Sequence, residues 1–70
     1  MKTVSVRQAP DVDHANAYTV TITEYGETIT RTVWTGNDGR GLWQDGKQIE
    51  GNMQFDARHN PAQAIRRYYS

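Results

Sequence analysis

The chain contains no cysteine, so a disulfide framework, a thiolate metal site and a cysteine nucleophile are all excluded. With only two histidines, a metal site would have to be built mostly from carboxylates. Net formal charge is zero. That argues against a generic polyanion binder, whose domain is usually strongly basic, and it removes the repulsion that helps keep small domains monomeric. Long apolar runs are missing too. Nothing approaches the ~20 residues of a membrane span, and the N-terminus lacks the apolar core of a secretion signal. The expected compartment is the cytoplasm, with no membrane partner.

At 70 residues the chain is one small domain, and such a chain buries only about 60 % of the surface it exposes when unfolded. Disulfides are excluded, so self-association is the supplement open to it, and a homodimer is one expectation. Leu, Ile, Val and Phe are scarce, as in disordered chains, but the accompanying high net charge is absent and the patterning is clean. A folded domain is expected.

The clearest pattern is the stretch 17–35, AYTVTITEYGETITRTVWT. Tyr18, Val20 and Ile22 alternate with threonines going up, and Ile29 and Val33 do so coming down, around a Tyr25-Gly26 turn. Period-two alternation of β-branched and aromatic residues predicts a β-hairpin. Pairing Ile22 with Ile29 sets Tyr18 opposite Val33 and Val20 opposite Arg31; a one-residue slip would turn one arm's apolar set to the wrong face. Arg31 then lies on the apolar side, either near an edge with its head group in water or holding an anion. The edge position is favoured.

Before this hairpin, Val4 and Val6 alternate within 2–8 as a short strand, which Pro10 should end, and 9–16 reads as a loop. After it, 35–41 (TGNDGRG) is a glycine-rich connection. A second hairpin follows at about 41–56, with Asp45-Gly46 at its tip, Leu42 facing Ile49 and Trp43 facing Gln48. The parity of Ile49, Met53 and Phe55 extends its second strand toward Phe55, with a bulge near Gly51. Residues 60–69 change period. Asn60 caps a helix, Pro61 takes its first position and Gln63 completes the box. Ala64, Ile65 and Tyr68 share one face, with Tyr69 beside it and Arg66 and Arg67 opposite. A helix this short must dock to be stable. The fold class is therefore α+β, an antiparallel sheet of four or five strands from two hairpins with one C-terminal helix on a face.

The search for chemistry is less productive. Asp11, Asp13 and His14 sit close together, but the order and number of oxygen ligands that a hard cation needs are lacking. Serine, histidine and aspartate occur in no nucleophile frame. Glu24 and Glu27 flank an exposed turn, where they stay solvated. No enzyme, cofactor or metal is expected. The residues left over are those of contact surfaces. Strict parity puts Trp34 and Trp43 on the back of the sheet, opposite its apolar face, and the equal alternative is a bulge near the glycine turn that rotates one or both inward. Arg58, Arg66 and Arg67 crowd the C-terminal region, where Tyr69 adds an aromatic face; the equal alternative is that one tyrosine packs into the core and the arginines are the solvated side of the helix.

These six residues, Trp34, Trp43, Arg58, Arg66, Arg67 and Tyr69, are the candidate binding set. The leading expectation is a non-enzymatic protein-binding module that covers a surface on a larger protein or ribonucleoprotein. Size class adds that phage and mobile-element accessory proteins often take this form, inhibitors of host defence such as anti-CRISPR proteins among them. The alternative is a small nucleic-acid-binding domain using the basic, tyrosine-containing helix.

Overall fold

The structure is a computed structural model that describes residues 1–9, 17–36, 40–53 and 60–70. Five strands, β1 (Thr3–Gln8), β2 (Ala17–Glu24), β3 (Glu27–Trp34), β4 (Leu42–Gln44) and β5 (Lys47–Glu50), precede one helix, α1 (Pro61–Tyr69). The strands form one antiparallel sheet in the order β1-β2-β3-β4-β5. The α+β architecture expected from the sequence is the one observed.

The β2–β3 hairpin has the register its side chains demand. Ile22 pairs with Ile29, Val20 with Arg31 and Tyr18 with Val33. Tyr25 and Gly26 both take positive φ, 54° and 78°, as the tightest hairpin turn requires for its twist to match the strands. β1 ends at Gln8, next to Ala9 and the proline, yet Ala9 still donates its N–H to the Ala17 carbonyl at 3.0 Å. Of the loop expected over 9–16, Ala9 is described, and residues 10–16, including Asp11, Asp13 and His14, lie outside the described residues.

The second hairpin departs from expectation in two places. Trp43 does pair with Gln48, but Leu42 pairs with Glu50, not Ile49. One residue of β4 is thus matched by two of β5, which makes Ile49 the extra residue of a bulge, two positions before Gly51. The ladder also ends at Glu50. Beyond it the chain keeps company with β4's approach through one bond, from Met53 N–H to the Arg40 carbonyl at 2.6 Å. The apolar parity survives all the same: Met53 is buried and Ile49 packs against the core. Phe55 lies outside the described residues.

The core is small. Val20, Val33, Leu42, Met53, Ala64 and Ile65 are its buried members, with Val4, Val6, Tyr18, Ile22, Ile49 and Tyr69 packed around them. α1 supplies the cover. Asn60 has extended backbone and its Oδ1 accepts from the Gln63 N–H at 2.8 Å, which satisfies one of the donors a helix N-terminus leaves open. Ser70 closes the other end through its Oγ on the Arg66 carbonyl at 2.7 Å. The helix packs against β1 and β2, and its last turn reaches β4 and β5.

That last turn corrects a second expectation. Tyr68 is the exposed tyrosine, at 42 %; Tyr69 is the half-buried one, its ring against the core. The reason is a partner on another element. The Tyr69 phenol donates to Gln44 Oε1 at 2.7 Å, and that bond fixes the roll of the helix on the sheet.

Candidate functional site

The back face of the sheet, away from α1, is built by alternation. Side chains of one parity on β2 and β3 enter the core, so the threonines between them must point the other way. Three Thr–Thr pairs result, Thr19 with Thr32, Thr21 with Thr30 and Thr23 with Thr28. Thr23 and Thr28 hydroxyls are 3.3 Å apart. Thr3, Ser5 and Arg7 of β1 line up beside the β2 row. Arg7 is the only charged residue among the strand positions that share this face.

At the β4 end of the same face, Trp34 and Trp43 stand directly opposite each other across the ladder. Their ring centroids are 5.3 Å apart with planes tilted by 47°, a separation at which aromatic pairs attract beyond simple burial. Both are half-buried. Gly41 is what lets the second indole lie down: a Cβ there would come within 2.5 Å of the Trp43 ring. Of the two placements the sequence left open, the structure shows the back-face one for both tryptophans, and it adds a pairing that the sequence did not give. The available signal was that each has the parity opposite to its strand's apolar residues, so adjacent antiparallel strands could bring them together.

The rest of the candidate set lies elsewhere. Arg66 and Arg67 are exposed on α1, on the opposite side of the sheet from the tryptophans, and they flank the helix in different directions. Arg66 borders shallow grooves beside Lys2, Val4 and Val6. Arg67 borders an open groove of about 390 Å³ with Glu50, Asn52, Met53 and Tyr68. Tyr69 is engaged with the sheet. Arg58 lies outside the described residues.

The two tyrosines meet edge to face with centroids 5.2 Å apart. Both phenols are tied down, Tyr69 to Gln44 as described and Tyr68 to the Ile49 carbonyl at 3.4 Å. Burial first, and then the neighbouring Tyr68, push the Tyr69 phenol above its ordinary value, against the pull of Arg31. Arg31 itself is exposed, as expected for a residue near an uncovered edge.

The chain matches no family model, no curated protein and no solved structure. Among the described residues no three metal-ligating side chains converge, and no helix is long and apolar enough to cross a membrane. Two surfaces therefore compete: a back face whose described strand positions carry one charge and an indole pair, and a helix whose arginines diverge.

Proposed function

We propose that the chain is a non-enzymatic protein-binding module that engages its partner through the back face of the sheet. The observation that carries this reading is the Trp34–Trp43 pair, half-buried and set in a threonine-lined face with one charge among its described strand positions. Interface centres are depleted in charge and enriched in tryptophan, and a pre-packed indole pair loses little side-chain freedom when a partner covers it. The nucleic-acid reading is weaker. Its arginines diverge around the helix, and of its two tyrosines Tyr69 is packed against the sheet, which leaves the Tyr68 ring alone exposed for stacking.

Within this reading the partner is a larger protein or ribonucleoprotein in the cytoplasm. Size and content suit a phage or mobile-element accessory protein that covers a working surface of a host defence complex. The test is recovery of a stoichiometric partner by a tagged chain from native host lysate, repeated with Thr21→Arg on the back face and Arg66→Glu on the helix. The partner should be lost with Thr21→Arg and kept with Arg66→Glu. The reverse pattern, or binding that collapses log-linearly with salt as phosphate contacts do, overturns the proposal.

A further inference from the structure

The outer edge of β3 has no described strand beside it over most of its length. β4 pairs with β3 only at Val33 and Trp34. From Glu27 to Thr32 the strand therefore has β2 on one side and no described strand on the other, and every residue of that stretch is exposed. The two-residue turn closes on the Glu24–Glu27 pair. That sets the alternation, so the N–H and C=O groups of Thr28, Thr30 and Thr32 point away from β2. Open edges are normally blunted by shortness, lysine, proline or a bulge. β5 has that treatment: it is four residues long, begins with Lys47 and carries the Ile49 bulge. Its counterpart β1 has the helix packed against it. β3 has no lysine or proline, and its ladder with β2 is unbroken.

The side chains along this edge are a second, independent observation. Glu27, Ile29 and Arg31 share one side of β3. Across the hairpin Glu27 faces Glu24, a like charge, and Arg31 faces Val20. Glu27 and Arg31 cannot meet along their own strand, where they are about 13 Å apart. An antiparallel second copy of the same strand resolves both mismatches. With the two-fold axis at Ile29, Glu27 of each copy stands opposite Arg31 of the other, Ile29 opposite Ile29, and Thr28 opposite Thr30. This register joins outward-pointing residues to outward-pointing residues, as the ladder requires, and it fits within the free stretch. Registers shifted by one step of the ladder put Ile29 opposite Arg31 or opposite Glu27 and leave the charges unmatched.

We propose that the chain forms a two-fold homodimer by antiparallel pairing of β3 with β3 over Glu27–Arg31. β3 is then flanked by β4 at one end and by the second copy at the other, and the exposed Ile29 is covered. The contact is separate from the partner surface proposed above, because the back-face side chains stay open in it.

Charge reversal and cross-linking test the dimer. Glu27→Arg alone and Arg31→Glu alone each create two like-charge cross-strand pairs and should weaken dimerisation on the order of tenfold in sedimentation. An equimolar mixture of the two variants restores both ion pairs and should return the affinity to within about threefold of the native chain. Since the chain has no cysteine, Ile29→Cys gives an unambiguous second readout. A non-hydrogen-bonded pair holds its Cα atoms about 4.5 Å apart, within disulfide reach, so mild oxidation should link it efficiently, whereas Thr30→Cys should link poorly. A native chain that sediments as a monomer at millimolar concentration, a mixture no tighter than its components, or Thr30→Cys linking as fast as Ile29→Cys overturns the proposal.

Discussion

Val33 and Ile29 lie on the same face of β3, two pleats apart, and meet opposite environments. Val33 is 1 % exposed and Ile29 is 44 % exposed. Nothing in the strand itself distinguishes them: both are β-branched, both obey the alternation, and both pair in register with β2. The difference lies in what covers them. At the Val33 end β4, Met53 and the last turn of α1 close over the sheet; at the Ile29 end the hairpin has run past β4 and its outer edge has no described neighbour. Alternation assigns a side chain to a face, and only the other elements decide whether that face is dry.

The largest effect should come from truncating each end in turn. Ile65→Ala removes a fully buried side chain at the closed end and should cost about 2–5 kcal/mol. A domain of this size is stabilised by only about 3–10 kcal/mol, so much of the population unfolds. Ile29→Ala, followed at concentrations dilute enough for a monomer, should cost less than about 1 kcal/mol, because the side chain is already wet. Parallel urea titrations give both values. Equal losses would mean that the two ends are not distinct.

A smaller effect separates the helix's two tyrosines. Tyr69→Phe deletes the bond to Gln44 and should cost about 1 kcal/mol, while Tyr68→Phe should be close to neutral. The same residue has a pH signature. Its phenol lies above the ordinary value of 10, chiefly through burial, so the folded chain holds that proton longer than the unfolded chain does. The contribution is complete below pH 10 and is lost as the pH rises from there through the folded-state value. Stability measured from pH 9 upward should therefore fall less steeply in Tyr69→Phe than in the native chain; identical slopes would rule the phenol out.

The smallest expected change improves the open end. Tyr25 holds a φ of 54° at the hairpin tip with its ring almost fully exposed, a conformation that asparagine and glycine tolerate and bulky residues resist. Tyr25→Asn should raise stability by up to about 1 kcal/mol, read as a higher denaturation midpoint at unchanged slope. A loss instead would show that the exposed ring does work at the tip.

How much of this could be read from the residues follows from the range of each interaction. The main hairpin, its turn and the Asn60-Pro61 helix start are set by neighbours in sequence, and each lies where local pattern put it. The bulge was legible only in part: the pattern put it near Gly51, and it falls at Ile49 because Glu50 takes the place opposite Leu42, a choice made by the partner strand and not by the apolar parity. The choice between Tyr68 and Tyr69 was equally hidden. Adjacent helical positions differ by about 100°, and the acceptor that decides between them, Gln44, belongs to another element. Of the candidate site, parity offered the back face for each tryptophan as one of two placements, whereas the pairing needed the strand order. That Arg66 and Arg67 diverge follows from the same angle, but which element each borders, β1 for Arg66 and the Met53 side for Arg67, needed the packing of the helix.

The indole pair has one more consequence. Two identical chromophores held 5.3 Å apart at a fixed tilt share their excited states, so their ultraviolet transitions split into a coupled pair with circular dichroism of opposite sign. The coupling vanishes once β3 and β4 separate, and it changes when anything presses on either ring. The protein thus carries an intrinsic optical gauge of its own back face, one that needs no label and reads a region the backbone signal does not.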